Sequence, residues 1–298
     1  MTNSASEFDL IAEFFAPLAM APGAFGLRDD AAVVPARTGH DLVVTTDTVI
    51  VGVDFLEDDP PHTVAKKALR VNLSDLAAKG AEPAAYLLSL SLPRADRAWL
   101  RSFASGLRDD QAKFGISLLG GDTSRGPLFV SITAFGHVPA GRMIRRSGAR
   151  PGDRVFVTGT IGDSGGGLAC RQGALLERYR VPEPPVAFGP KLLGIATAAV
   201  DVSDGLLADL GHVADASGVR IVVEAERIPR SPELRALWGD SIDAILRAAT
   251  AGDDYQIAFT APQADATCIG RVEEGTGVVL IDAGGREVAV PRPGFTHF

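Results

Sequence analysis

Carboxylates recur in this chain at the ends of apolar runs. Asp30 lies in "GLRDDAAVV", Asp47 follows "LVVTT", Asp75 sits within "VNLSDLAAKG", and Asp122 follows "ISLLGG". Asp201 and Asp204 lie in "AVDVSDGLLADL", and Asp253 and Asp254 precede "YQIAF". Strand ends are where open α/β sheets present ligand groups. Carboxylates brought together from distant segments repel one another unless cations neutralise them, and hard oxygen donors suit Mg²⁺ or Ca²⁺ rather than zinc. The chemistry that most often needs many carboxylates and Mg²⁺ is phosphoryl transfer, in which metals bridge the β- and γ-phosphates. In "VVTTDTVIVGVDF" the hydroxyls of Thr45 and Thr46 stand just ahead of Asp47, and Asp54 closes the stretch.

Several of these residues also have a plainer reading. Asp204, followed by Gly205 and an apolar helical run, fits a helix N-cap, a role compatible with metal binding. Asp75, between Leu73 and Leu76, could lie on a solvated helix face, although its neighbours are apolar. Asp29 beside Asp30, and Asp254 beside Asp253, fit turns, and the two threonines fit a β-branched strand. A separate pattern in "TGTIGDSGGGLAC" sets Gly162, Ser164 and Gly166 in G-x-S-x-G spacing, which can mark a nucleophilic serine. A hydrolase needs a partnered base, and nothing singles out His212 or His297 as one. The same stretch lacks the P-loop lysine and the dinucleotide spacing; otherwise it is a Gly-rich turn feeding a helix.

Alternating periodicities supply the elements that must position these groups. Phe8, Ile11, Phe15 and Leu18 recur at helical spacing after Ser6, which pairs with Asp9 as a capping couple. Residues 41–46, 84–92, 116–119 and 128–138 read as strands. Helices are predicted over 62–79, carrying Leu69, Leu73 and Leu76, and over 95–113, carrying Trp99, Phe103 and Leu107 and ending at Gly115. The Pro-, Gly- and Arg-rich 139–153 reads as an inter-domain crossing. Beyond it come a strand "DRVFVTG", the Gly-rich turn, a helix near 186–199, a helix after "DVSDGL", a strand "RIVVEA", a helix near 232–248, and strands "YQIAFTA" and "GVVLID". Two α/β domains result, 1–140 and 150–298.

Composition bounds the function. The 298 residues are 46% hydrophobic, enough for a large core. With 29 Lys and Arg against 37 Asp and Glu, the net charge of −8 argues against nucleic acid as a partner. No apolar run is long enough to span a membrane, and the N-terminus lacks a basic region before its apolar residues, so a cytoplasmic location is expected. Cys170 and Cys268 stand apart from any CxxC or Cys/His cluster and are expected to be buried fillers.

In order, "GLRDDAAVV", "VTTDTVIVGVDF", "KALRVNLSDLAAKGAEP", "LLGGDTSRGP", "RSGARPGD", "VTGTIGDSGGGL", "DVSDGLLADL", "GDDYQIAFT" and "GFTHF" resemble the thiamine-monophosphate kinase family, within the superfamily of aminoimidazole ribonucleotide synthetase and selenophosphate synthetase. The resemblance implies a two-domain α+β (α/β) architecture: an N-terminal metal- and ATP-binding domain whose mixed sheet forms a barrel across a homodimer, and a C-terminal α/β domain of the aminoimidazole ribonucleotide synthetase type. It implies direct transfer of the γ-phosphate of ATP to thiamine monophosphate, giving thiamine diphosphate, in a cleft bordered by both domains. It makes Asp30, Thr45, Thr46, Asp47, Asp75, Asp122 and Asp201 ligands of a Mg²⁺ cluster, with Asp204 on a further ion. Gly121, Asp122, Arg146 and Ser203 would contact ATP, and Asp54, Asp253 and Phe295 thiamine monophosphate. Three positions depart from the family pattern: Asp54 replaces a usual His, Asp253 stands in a usual "GED", and Arg28 replaces a Gly. No general base is expected, because the acceptor is already an ionised phosphate.

Overall fold

The structure is a computed structural model that describes residues 6–296. The chain divides into two units, one formed by the residues up to Leu76 with Ala81–Gly141, the other by Ala77–Gly80 and the chain from Arg142 onward.

The first unit contains α1 (Glu7–Leu10), β1 (His40–Ile50), α2 (Pro61–Ala78), β2 (Glu82–Leu92), α3 (Arg97–Phe114), β3 (Ser117–Arg125) and β4 (Phe129–Pro139). Its four strands run in the order β1-β4-β2-β3. β4 is antiparallel to β1 and β2, while β2 and β3 are parallel. Within the chain this mixed sheet is open, with β1 and β3 as its edges. Leu69, Leu73 and Leu76 of α2 and Leu100, Phe103 and Leu107 of α3 are buried, as a three-to-four-residue apolar spacing requires. Asp96 caps α3 by accepting from the N–H groups of Ala98 and Trp99, and Gly115 ends the helix in a left-handed conformation at φ 68°. A buried bidentate pair, Arg70 with Asp110, joins α2 to α3 at 2.7 and 2.8 Å.

The expected first helix is shorter and less regular. Its Ser6–Asp9 capping box is present, but regular α-helix stops at Leu10 and continues as π and 3-10 turns to Leu18. Pro17 cannot sustain an α-helical hydrogen bond there. Leu10, Phe14, Phe15 and Leu18 are buried, whereas Phe8 is exposed.

The second unit holds β5 (Arg154–Val157), α4 (Asp163–Cys170), α5 (Gly173–Arg180), β6 (Ala198–Asp201), α6 (Leu206–Ser217), β7 (Arg220–Glu224), α7 (Pro232–Trp238), α8 (Ile242–Ala249), β8 (Ile257–Ala261), β9 (Thr267–Glu273), β10 (Gly277–Ile281) and β11 (Glu287–Val288). The sheet order is β11-β10-β7-β9-β5-β8-β6. Among the described residues of this sheet, only β7 and β10 pair in parallel. Both faces are covered: Val155 and Val157 enter one core with Leu206, Leu210 and Ile221, while Phe156 enters another with Ala199 and Phe259. Such two-sided burial explains why these strands read as continuous apolar runs.

Several expected boundaries change here. Residues 186–199 form no helix beyond the short 3-10 turn Gly189–Leu192, followed by β6, because Pro184, Pro185, Pro190 and Gly194 interrupt the segment. The helix expected near 232–248 is two, broken at Gly239. α5, β9 and β11 have no counterpart among the elements expected from the sequence. Both cysteines are partly exposed rather than buried fillers.

Candidate active site

In the first unit, α2 supports β1 with polar side chains. The Thr45 hydroxyl donates to Asp75 Oδ2, and Asn72 Oδ1 accepts the Asp47 N–H at 3.1 Å. Asn72 is itself fixed by donating to the Ala68 carbonyl at 3.0 Å. Successive strand residues point to opposite faces, so Thr45 and Asp47 share the face that carries Asp75. Thr46 points the other way, with its hydroxyl donating to the Ile132 carbonyl and lying 3.1 Å from Thr133 Oγ1. Toward the Asp47 face it offers only main-chain atoms.

Asp30 and Asp122 gather at the opposite side of the sheet. A cavity of ≈ 590 Å³ is lined by Asp29, Asp30, Gly121, Asp122 and Thr123, with Phe8, Leu119 and Phe135 among its apolar walls. Gly121 adopts φ 151°, and a Cβ there would stand 1.8 Å from the Leu88 carbonyl oxygen, so only glycine lets β3 run this close to β2. Asp54 clasps the turn after β1: its Oδ2 accepts the Ile50 N–H at 2.8 Å, and its carbonyl accepts from the buried Lys67 ammonium at 2.6 Å.

The second unit presents its candidates on three knitted segments. Asp201 ends β6 and is buried. In the following loop the N–H groups of Ser203, Asp204 and Gly205 all donate to Asp209 Oδ2 at 3.1 Å. The loop carbonyls are held from outside, since Tyr255, Asp253 and Phe295 donate their N–H groups to Val202, Ser203 and Asp204 at 2.7, 2.7 and 2.8 Å. Ligand atoms of Asp204, Asp209 and His212 lie within 4.8 Å of one another. Burial, then the charge of Asp204, pushes the Asp209 carboxyl up to about 7 against the three N–H donors. Arg146 and Phe295 are exposed, and the Arg146 carbonyl accepts from Ser217 at 3.3 Å.

Asp253 and Tyr255 have positive φ, 60° and 51°, and between them lies buried Asp254. Its Oδ2 accepts the Gly162 N–H at 2.8 Å, and among the described residues its Oδ1 has no hydrogen-bond partner. Burial drives this carboxyl well above the ordinary range. Ser164, the serine of the G-x-S-x-G spacing, donates at 2.6 Å to the Asp253 carbonyl. It holds a loop and is not engaged by an imidazole; His297 lies outside the described residues. Sequence reasoning missed Asn72, Lys67 and Asp209 as supporting groups. The first two were legible as polar positions on the apolar stripe of α2, whereas Asp209 reads as an ordinary helix carboxylate.

Comparison with known proteins places the chain in a lineage. Residues 28–138 match the AIR synthase related protein N-terminal domain and residues 150–283 its C-terminal domain. Over 98% of its length the chain is 46% identical to the thiamine-monophosphate kinase of Caulobacter vibrioides, covering 91% of that protein. The chain belongs to the thiamine-monophosphate kinase family. The solved family structure from Stenotrophomonas maltophilia K279a superposes with a TM-score of 0.80 at 41% identity, covering 88% of this chain and 91% of that one. AaThiL complexed with AMPPCP and TMP superposes equally well, TM-score 0.80 at 34% identity, covering 93% and 97% of the two chains.

Proposed function

We propose that the protein transfers the γ-phosphate of ATP directly to the phosphate of thiamine monophosphate, forming thiamine diphosphate. Family membership supports the reaction. The observation that carries it to particular residues is the shared cavity of Asp30, Gly121 and Asp122 in the first unit. We assign Asp30, Asp47, Asp75, Asp122, Asp201 and Asp204 to Mg²⁺, with Thr45 as a further oxygen donor and Thr46 through its main chain. Carboxylate and hydroxyl oxygens are the hard donors this ion takes, so the donor set fits. When bound, Mg²⁺ supplies neutralisation of the charge on the transferring phosphates.

Gly121, Asp122, Arg146 and Ser203 are assigned to ATP; the planar guanidinium of Arg146 suits two phosphate oxygens at once. Asp54, Asp253 and Phe295 are assigned to thiamine monophosphate, the carboxylates facing the cationic thiazolium and the ring stacking on it. A carboxylate cannot donate to the substrate phosphate, so phosphate recognition falls to other donors. Alignment and charge neutralisation supply the rate without a general base.

The working form is a homodimer whose open sheets join into a barrel. Asp47 and Asp122 belong to opposite edges of one sheet, so a second copy is what brings a β3 edge beside β1. ATP supply puts the reaction in the cytoplasm; among the described residues no helix is long and apolar enough to cross a membrane. The test is an assay with ATP, Mg²⁺ and thiamine monophosphate, followed by chromatography. Thiamine diphosphate from the wild type and none from Asp122→Asn supports the reading; a wild type that forms no product overturns it.

A further inference from the structure

We propose that Asp209 is a positioning residue for the nucleotide end of the reaction, an inference that rests on the assignment of Ser203 to ATP and Asp204 to Mg²⁺. Helix N-termini carry N–H groups that need acceptors, and a side chain just ahead of the helix normally supplies one. α6 departs from that pattern. Gly205 occupies the N-cap position with φ 126° and no side-chain bond. Asp209, in the first helical turn, reaches back instead, and one carboxylate oxygen takes the N–H groups of Ser203, Asp204 and Gly205 together.

This arrangement decides between the two readings of Asp204. The cap is supplied from inside the helix, and among the described residues neither the Ser203 hydroxyl nor the Asp204 carboxylate makes a hydrogen bond within the protein. Both side chains are left for a ligand while their main chain is fixed. The carbonyl side of the loop is held by backbone N–H groups of Asp253, Tyr255 and Phe295, which substitution leaves in place. The N–H side depends on one side chain, a single oxygen of which answers all three groups.

The experiment compares full-length wild type, Asp209→Asn and Asp209→Ala in steady-state kinetics. Asn keeps an acceptor of the same length, whereas Ala keeps none. Loss of the acceptor shared by three N–H groups in the Ala variant is expected to raise KM for ATP·Mg²⁺ by about tenfold or more. KM for thiamine monophosphate should stay within about twofold, and Asn should recover most of the nucleotide effect. Should the Ala variant not fold, Asp209→Ser, whose hydroxyl falls short of three amides, takes its place. Equal failure of Asn and Ala would make Asp209 a charged ligand and overturn the proposal. So would a lower kcat with both KM values unchanged, the mark of a merely structural group. Equilibrium binding of a non-transferable ATP analogue with Mg²⁺ to the same proteins reads the positioning role even if the wild type forms no thiamine diphosphate, an outcome that would sink the functional reading alone.

Discussion

Asp47 and Asp122 stand at neighbouring levels on opposite edges of one sheet. Asp47 pairs with Ile132, Ile132 with Leu88, and Leu88 with Gly121, the residue before Asp122. Three strand spacings separate the two edges by about 14 Å, more than two aspartate side chains can bridge to a single ion. If both bind one ion, each must meet its counterpart from a second chain.

Subunit complementation tests that relationship. Asp47→Asn and Asp122→Asn homodimers are both expected to be inactive. In a mixed dimer one site receives both changes and the other neither, so co-expressed chains should recover about a quarter of the wild-type rate after random assortment. Carboxylates working within one chain would give mixtures as inactive as their parents.

Asp54→Asn keeps an acceptor for the Ile50 N–H and removes the charge. If that charge faces the thiazolium, KM for thiamine monophosphate should rise a few-fold, on the scale of about 1 kcal/mol for an exposed charge pair. KM for ATP should not move. An unchanged KM for thiamine monophosphate would reduce Asp54 to a clasp for its turn.

Gly121→Ala should displace the β3 edge, because the new methyl meets the Leu88 carbonyl at 1.8 Å and the backbone holds φ 151°. A loss of at least about 2 kcal/mol in urea unfolding is expected, with weakened nucleotide binding in the protein that still folds. Wild-type stability in this variant would mean that β3 can retreat from β2.

Asp254 predicts a pH dependence. Its folded pKa is raised, so the native state keeps a proton that the unfolded chain releases, and stability falls as pH rises from the ordinary carboxylate range toward the folded value. The slope reaches at most about 1.4 kcal/mol per pH unit for one proton. Urea midpoints measured from about pH 5 to about pH 8 should decline less steeply in Asp254→Asn than in wild type. Parallel declines would assign the titration to other groups, Asp209 first.

Much of the chemistry was legible in the sequence because its signals are local. A helix repeats its apolar face within four residues, so the ends expected for α2 and α3 lie within about two residues of those observed. Carboxylates at the ends of apolar runs likewise stand out as candidates without any knowledge of the fold. Prolines and glycines between 184 and 194 carried equally local information, and the helix expected there fails against it.

What only tertiary structure decided is which of those groups share a place. Strand order and register come from pairing between distant segments, so nothing near Asp47 reveals that Asp122 occupies the far edge of its sheet. The spacing around Ser164 can mark a nucleophile when its own loop is read alone, yet its hydroxyl is spent on Asp253, 89 residues away. Asp204 resembles a helix cap from its neighbours alone, while Asp209, folded back from within the helix, takes those N–H groups instead. Sequence periodicity thus determined the longer elements, such as α2 and α3, and residue identity the donor types. The burial of a particular carboxylate, and the backbone groups it answers to, were settled by long-range packing.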